Sequence, residues 1–230
     1  TTKRTSTKQP TPQQAHKKPR TEQQVKCAHE LDVSSVTFGD LRTSDNGRKS
    51  LYVNYGTGKF PLLQTPWVTS FGVQSSAKFD NAGAEPKLSV QLLLDEKDTE
   101  QTAFLALLRG LDTRAVKLAV ERSMELYRKK SLSESTARDT MFNACVKTNG
   151  NDEPTFKVSV AGYAPPEVYD DKRERVPDDE LATRVTGKMK VRAILECKPM
   201  WFMAATRKYG YKWIVKQMEY RPLAPARLSF

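Results

Sequence analysis

The chain has 230 residues, of which 38% are hydrophobic and 28% charged, and its formal net charge is +11. This length and composition fit one soluble domain, and the apolar runs fall far short of the ~20 residues that a membrane-spanning helix needs. The basic balance favours a polyanionic partner, either nucleic acid or an anionic membrane surface, and the opening TTKRTSTKQPTPQQ offers no apolar stretch for a secretory signal.

The first predicted element is a disordered basic arm over residues 1–26. Its Thr, Gln, Lys and Pro residues cannot bury enough apolar surface to offset the entropy of ordering them. Seven basic residues against one acid give the arm a charge of +6: Lys3, Arg4, Lys8, Lys17, Lys18, Arg20 and Lys26. Three roles remain open for this arm, namely nucleic-acid binding, nuclear localisation and simple solubilisation.

A series of strands follows the arm. Alternation of apolar and polar residues predicts strands at Asp32–Phe38, Leu51–Tyr55, Phe60–Gln64 and Leu88–Leu94. A tight turn at Gly56–Gly58 joins the second of these strands to the third as a hairpin. The turn lacks the spacing of a phosphate-binding loop and joins two strands, so we predict no nucleotide site there.

The hydrophobic period then changes to that of a helix. From Thr99, the predicted N-cap, apolar residues at helical spacing predict a helix that reaches Tyr127, with a break near Gly110. A second, short helix is predicted from Ser133 to Val146. This helical block, at about residues 99–147, is predicted to cover a sheet.

Strands resume at Thr155–Val160, and Lys188–Tyr220 is the last long apolar run. It predicts a hairpin with a break at Pro199, a connection over residues 207–210 and an irregular tail over 221–230. Gly210 is predicted to allow a tight or left-handed backbone position. The order of strands, helical block and strands predicts an α+β chain built mainly on an antiparallel sheet that could close into a barrel.

Aromatic and basic residues interleave in this hairpin, a pattern that suits a surface which stacks bases and neutralises phosphates. Burial in the core is nevertheless the commoner fate of a single aromatic residue, and we expect it for Trp201 and Phe202. Alternation places Trp213 on the opposite face from Lys212. If Trp213 is core, the lysines therefore face the ligand, and we then expect Tyr209 to be the stacking residue.

The sequence offers little for catalysis or for metal binding. Both histidines lie in or beside the arm, and no hydrolase, metalloprotease or dinucleotide motif occurs. The three cysteines are odd in number and far apart, which fits a reducing compartment: Cys27, Cys145 and Cys197. Cys27 and His29 lack a second pair for zinc, and the acidic clusters at 95–98 and 178–180 look loop-like. We expect no enzyme activity, no metal and no cofactor.

Two blocks of the sequence resemble a known family. Leu51–Val73 reads LYVNYGTGKFPLLQTPWVTSFGV, and Pro199–Tyr220 reads PMWFMAATRKYGYKWIVKQMEY. Both are similar to blocks of the single-stranded-DNA-binding proteins of nucleo-cytoplasmic large DNA viruses, which are related to those of short-tailed coliphages. The resemblance covers most of the body and not the arm. It implies an OB-fold barrel over residues 27–220 with a helical insertion.

The resemblance also implies a function, namely non-catalytic binding of single-stranded DNA in viral replication, recombination and repair, inside an infected cell or in the virion. Replication proteins would be further partners, a membrane would not, and homo-oligomerisation stays open. The coliphage relatives carry an acidic C-terminal tail that ends in an aromatic residue and recruits replication partners, whereas the tail here ends in Phe230 but holds Arg221 and Arg227 and no acid. Recruitment of partners through that tail is therefore in question.

The expected contacts with DNA combine phosphate-binding cations and stacking aromatics. They are Lys59, Trp67, Phe71, Arg207, Lys208, Tyr209, Tyr211, Lys212, Trp213 and Lys216, with the arm adding salt-sensitive affinity. Two other functions stay open. One is a viral coat or internal virion protein whose arm neutralises packaged genome, and the other is a factor that binds duplex DNA.

Overall fold

Burial alternates along the strands and separates the inside of the sheet from its outside. In the strand Leu88–Leu93, Val90 and Leu92 are fully buried, whereas Gln91 between them is half-buried on the other face.

The computed structural model describes residues 23–45, 47–75, 87–150, 152–160, 165–203 and 205–223. Within these ranges no helix is both long and apolar enough to cross a membrane.

The elements have the following bounds. The strands before the helical block are β1 (Val25–Cys27), β2 (Val36–Thr43), β3 (Lys49–Tyr55), β4 (Gly58–Lys59), β5 (Leu62–Gln64), β6 (Val68–Ser75) and β7 (Leu88–Leu93). The helices are α1 (Thr99–Glu121), α2 (Ser123–Tyr127) and α3 (Leu181–Arg184), with a π-helical turn at Thr136–Met141 and 3₁₀ turns at Ala28–Glu30, Val33–Ser35 and Asp178–Glu180. The later strands are β8 (Phe142–Asn143), β9 (Val146–Lys147), β10 (Thr155–Ser159), β11 (Glu167–Tyr169), β12 (Thr186–Met203) and β13 (Lys208–Pro222).

Five of these strands close a barrel. β7 pairs antiparallel with β6 and β10, and β12 pairs antiparallel with β6 and β13, while β10 and β13 run parallel. Numbered 1 to 5 in chain order, the barrel strands are β6, β7, β10, β12 and β13. Strand 1 neighbours strands 2 and 4, and strand 5 lies between strands 3 and 4. This is the strand order of the OB-fold, a five-stranded Greek-key barrel. The structure confirms the predicted α+β, OB-fold-like architecture.

Helix α1 packs against the barrel through its apolar stripe. It begins after Asp98, whose side chain accepts a hydrogen bond from the Gln101 N–H at 3.0 Å and so caps the helix. Phe104 and Leu108 are fully buried, and the Phe104 ring lies 6.0 Å from that of Phe156 in β10. Each such buried side chain contributes roughly 2 kcal/mol, so packing holds the helix in place.

The first part of the chain differs from the prediction in three places. The fold begins inside the predicted arm, because β1 pairs in parallel with β5. Asp32–Phe38 is not one strand, since Asp32 accepts a hydrogen bond from the Ser34 N–H at 2.8 Å and caps a 3₁₀ turn that precedes β2. The strand that returns beside β3 after the turn is the short β4, and the Phe60 N–H donates to the Val53 carbonyl at 3.4 Å. The rest of the predicted strand Phe60–Gln64 leaves β3, and β5 pairs with β1 and β12 instead.

The helical block also differs from its prediction. Helix α1 runs through Gly110 without the predicted break, because the glycine allows close packing: a Cβ there would lie 2.8 Å from a methyl group of Val33. The helix predicted from Ser133 to Val146 is only a π-helical turn, followed by β8 and β9. These two short strands pair with β13 and β10, so part of the insertion belongs to the sheet.

Strand β12 is the element that joins the parts of the sheet. It continues through Pro199, where the sequence predicted a break, because its register with β13 shifts between Lys198 and Trp201 and accommodates a residue without an N–H group. One edge of β12 pairs with β13 along most of its length. The other edge pairs in turn with β6, β5 and β3, which attaches the β2–β3–β4 extension to the barrel.

Candidate nucleic-acid interface

A groove crosses the outer face of β7 and β10, the second and third strands of the barrel. Two cavities of about 420 and about 310 Å³ form it, and they share Lys157 and Ser159. We call this surface the barrel groove. Its basic side chains are Lys87, Lys147, Lys157 and Lys212. No aspartate or glutamate occurs among the described residues that line it, so its electrostatic potential favours an anion.

Strand alternation and pairing explain why the lysines meet in the groove. Phe156 and Val158 of β10 point into the core, so Lys157 between them points outward, opposite Gln91 of β7. Ser159 pairs in parallel with Ile214 of β13. Two residues earlier on both strands, Lys157 and Lys212 therefore lie side by side, and both line the larger cavity.

Trp201 supplies an aromatic wall to the same cavity. It is half-buried, and its Nε1–H donates a hydrogen bond to the Tyr211 carbonyl at 3.3 Å. Gly210 lies opposite Trp201, and a Cβ there would come within 2.9 Å of the Asn143 carbonyl oxygen and 3.3 Å of the Trp201 ring. Gly210 therefore allows its backbone to lie close to the Asn143 carbonyl and to the Trp201 ring. The positive φ at this hairpin falls on Arg207 instead, at 55°.

Three of the five aromatic residues that were predicted to stack on bases belong to the core. Tyr209 is fully buried, Tyr211 is 6% exposed and Trp213 is 4% exposed. They share one parity along β13, which faces inward. Their burial is the physical reason why the predicted stacking role does not fit this structure, although edges of Tyr211 and Trp213 form part of the groove floor.

Hydrogen bonds confirm that these rings are built into the interior. The Tyr209 hydroxyl donates to the Ala137 carbonyl at 3.1 Å, and the Tyr211 hydroxyl donates to the Leu111 carbonyl at 2.9 Å. The Tyr209 ring is stacked on Phe202, with centroids 5.8 Å apart and planes 5° apart. Phe202 was expected in the core and lies there at 2% exposure, whereas Trp201, also expected there, lines the groove.

The predicted basic residues fall into four places. Lys212 alone among them lines the barrel groove. Arg207 and Lys208 are exposed at the turn between β12 and β13, one of the two OB-fold loops that take part in oligonucleotide binding, and the Lys208 ammonium donates to the Thr140 carbonyl. Lys216 lies 3.8 Å from Glu196. Lys59 is exposed in β4, outside the groove.

The other two predicted aromatic residues lie on β6 or just before it. The guanidinium groups of Arg192 and Arg221 lie over the Trp67 ring, 5.0 and 4.2 Å from its centroid. The ring therefore already makes cation–π contacts with two arginines. Phe71 is 49% exposed, and its role in stacking stays a prediction. The arm residues Lys3, Arg4, Lys8, Lys17, Lys18 and Arg20 lie outside the described residues.

A buried carboxylate holds the rim of the groove. Asp112 of α1 is 7% exposed, and its two oxygens accept hydrogen bonds from the Cys145 N–H at 3.1 and 3.0 Å. The Val146 N–H lies 3.5 Å from one of these oxygens. Burial raises the pKa of Asp112 from its ordinary value of 3.8 to about 6, although the N–H groups and Arg138 favour the ionised form. Because Cys145 lines the groove, α1 positions part of its wall.

The acidic clusters of the sequence are used in local structure. Asp98 caps α1, and Glu96 lies 2.9 Å from Arg109. In the second cluster, Asp178 lies 3.4 Å from Arg175, and Glu180 lies 3.3 Å from Arg184. In the described ranges no group of three or more His, Cys, Asp or Glu side chains could hold a metal ion.

Most of the groove residues were not predicted from the sequence. Lys157 stands in the alternating run Thr155–Val160, and the buried partners on either side could have identified it as an outward residue. Lys147 and Trp201 carried no comparable signal, since one lies in a two-residue strand and the other beside a register shift. Other groove residues that had not been singled out include Lys87, Gln91, Asn143, Asn149 and Ser159.

The fold and the groove together define an OB-fold barrel with a basic outer surface. No protein-family model matches the chain, and no curated protein matches it in sequence. The solved structures similar to it include gp2.5, a single-stranded DNA binding protein encoded by bacteriophage T7. The two chains are 15% identical with a TM-score of 0.49, and the match covers 73% of this chain and 95% of gp2.5. The single-stranded DNA-binding protein from bacteriophage Enc34, in complex with ssDNA, is 12% identical with a TM-score of 0.42, and the match covers 79% and 89% of the two chains. Both scores lie below 0.5, so the fold is assigned from the strand order of the barrel.

Proposed function

We propose that this protein binds single-stranded DNA in the barrel groove and catalyses no reaction on it. One observation carries the proposal. Lys147, Lys157 and Lys212 converge with Trp201 in a cavity of about 420 Å³ on the second and third strands of an OB-fold barrel. That face is where OB-folds bind oligonucleotides. The lysines would neutralise phosphates, and Trp201 would stack on a base.

The chemistry of the groove favours single strands over duplexes. A half-buried tryptophan beside lysines can stack on an unpaired base, which a duplex does not offer. The amide side chains of Gln91, Asn143 and Asn149 can bond to base edges or to sugar and phosphate oxygens. We further propose, from the resemblance of Leu51–Val73 and Pro199–Tyr220 to the viral family, a role in replication, recombination and repair in infected cells, with replication proteins as partners.

The test is a titration of fluorescent single-stranded and duplex oligonucleotides against the protein at several salt concentrations. Replacing Lys157 and Lys212 together by Ala should weaken single-strand binding. The slope of the logarithm of the binding constant against the logarithm of the salt concentration is negative. The double variant should make it shallower by roughly 1.4, since each phosphate contact contributes about 0.7 for single strands. The control variant is Lys117→Ala, which removes an exposed lysine of α1 that does not line the groove. If the double variant binds as the wild type does, the groove is not the site.

A second function is favoured by the charge of the arm. Seven of the chain's 38 basic residues lie in residues 1–26 with one acid, so this segment carries +6 of the net +11. Such an arm suits a virion protein that neutralises packaged genome. Removing residues 1–24 separates the two functions. Equal affinity for single strands and duplexes, lost entirely with the arm, would favour packaging and contradict groove binding.

A further inference from the structure

A cavity separate from the barrel groove lies on the same outer surface, at the far end of the β12–β13 hairpin. It measures about 320 Å³, and we call it the hairpin cavity. Its polar lining consists of Gln64, Tyr169, Arg173, Arg192, Gln217 and Glu219. Two guanidinium groups, two amides, one carboxylate and one phenol ring thus surround a space above the apolar side chain of Ile194. Nothing in the proposed function of the barrel groove uses these residues.

The register of the sheet explains why these side chains meet. Glu219 of β13 pairs with Tyr169 of β11 on one side and with Arg192 of β12 on the other, so the three form one row on the outer face. Ile194 pairs with Gln217 of β13 and with Gln64 of β5, which makes a parallel row beside the first. The cavity therefore lies over four adjacent strands and does not depend on a single loop.

Arg173 overhangs this face from a turn that is held in place. Asp170 is only 7% exposed, and one of its oxygens accepts hydrogen bonds from the Lys172 N–H at 3.0 Å and the Glu174 N–H at 2.9 Å. Arg184 lies 3.6 Å from the other oxygen of Asp170. Within this turn Arg173 has a φ of 63°, a conformation that non-glycine residues seldom adopt. Arg173 lines the cavity from this turn.

Arg192 on the opposite side is also fixed. Its guanidinium lies 3.2 Å from Glu219 and 5.0 Å from the centroid of the Trp67 ring. Glu219 lies 2.9 Å from Arg221 as well. Burial acts to raise the pKa of Glu219, but the hydrogen bonds that it accepts from Arg221 and Arg192 and the charges of these arginines together lower it. Donors and acceptors that line a space together with the apolar Ile194 suit a planar base, whose edge carries both donors and acceptors.

The surface between the barrel groove and the hairpin cavity can carry the DNA strand. It presents Lys198, Lys212 and Lys216 with one acid, Glu196, which lies 2.7 Å from Lys198. From Lys212 to Gln217, β13 rises about 16 Å at about 3.3 Å per residue. A strand stacked at about 3.4 Å per nucleotide spans that distance with about five nucleotides. The combined surface stays within the roughly 4–16 nucleotides that an OB-fold covers.

We propose that the hairpin cavity binds one base of the single strand that occupies the barrel groove. This inference rests on the proposed function, because the groove brings the strand to the hairpin. Oligonucleotides that fill the groove alone, about 6 nucleotides long, would not reach the cavity. Oligonucleotides of about 14 nucleotides would reach it and would gain affinity from the seated base.

The test compares these two lengths in the full chain. Arg173→Asn removes the overhanging guanidinium, and asparagine tolerates a positive φ. The matched control, Lys172→Ala, removes one positive charge from the same exposed turn outside the cavity. Arg173→Asn should leave binding of the short oligonucleotide unchanged and weaken binding of the long one about tenfold. Lys172→Ala should do neither.

A second arm distinguishes a seated base from a phosphate contact. In two long oligonucleotides, abasic sites replace the terminal five bases at the 5′ end or at the 3′ end. One of them should bind the wild type about tenfold more weakly and should lose nothing further in Arg173→Asn. If neither abasic oligonucleotide loses affinity, or if Arg173→Asn weakens both lengths equally, the inference is overturned while groove binding stands. Failure to bind at either length would instead overturn the proposed function.

Discussion

The buried Asp112 makes the stability of the protein depend on pH in a way that can be measured. Its pKa rises from 3.8 to about 6 because burial outweighs the hydrogen bonds from the Cys145 and Val146 N–H groups. A carboxyl whose pKa is higher in the folded state than in the unfolded chain stabilises the fold when it is protonated. Its contribution is therefore fully present below the unfolded pKa and is lost as the pH rises through about 6.

The magnitude follows from the size of this pKa shift. The full titration corresponds to about 3 kcal/mol, of which roughly 1 kcal/mol falls between pH 7 and pH 5. Asp112→Asn keeps the shape and one acceptor oxygen but cannot ionise. Relative to this variant, the wild type should gain about 1 kcal/mol in the free energy of unfolding when the pH is lowered from 7 to 5.

Urea unfolding of both proteins at pH 7 and pH 5 measures this difference. The pH-independent cost of placing an amide at position 112 cancels in the comparison, as do all the titratable groups that the two proteins share. Asp171→Asn, at an exposed aspartate, shows whether removal of any carboxyl has the same effect. If the stability difference between wild type and Asp112→Asn is the same at both pH values, burial does not raise the pKa of Asp112 and the predicted pH dependence is refuted.

Three further predictions concern single positions. Gly72→Ala should cost more than about 3 kcal/mol in urea unfolding or prevent folding, because Gly72 has a φ of 82° and a Cβ would lie 2.2 Å from the Val185 carbonyl oxygen. Gly58→Ala, whose Cβ would meet nothing closer than 3.9 Å, should change stability by less than about 1 kcal/mol. Trp213→Ala should lower stability by about 3–5 kcal/mol, since the ring is 4% exposed, and a loss of DNA affinity without a loss of stability would contradict a core role. Trp201→Ala should weaken single-strand binding by roughly 1–3 kcal/mol in a fluorescence titration while Trp201→Phe retains most of it, and equal affinities of the two variants would argue against stacking.

Alternation predicted one part of the hairpin well and another part poorly. It placed Trp213 and Lys212 on opposite faces, and the structure shows the ring buried and the lysine exposed. The same parity applied to Tyr209 puts that ring in the core as well, so its expected role at the surface was inconsistent with the pattern. Trp201 could not be placed by parity, because the register shift beside Pro199 changes the count of residues along β12.

The groove and the hairpin cavity depend on contacts that no local pattern encodes. Lys157 and Lys212 become neighbours only through the parallel pairing of β10 with β13, which closes the barrel. The Trp67 ring meets Arg192 from a strand near the other end of the chain. The residue types in the sequence indicated a basic surface with aromatics, whereas the choice of which residues share that surface came from topology.

The late position of β12 in the chain has a consequence for how the protein folds. The Ala193 N–H donates to the Thr65 hydroxyl across 128 residues of sequence, and β6 pairs with β12 in the same region. A topology with such distant pairings folds slowly, because the loop must close before the contacts form. During synthesis, β6 and β7 emerge from the ribosome long before the strand that closes them. We therefore expect chains truncated before Thr186, which lack β12, to present unpaired strand edges and to aggregate, and a chaperone that shields those edges should raise the yield of the full-length protein.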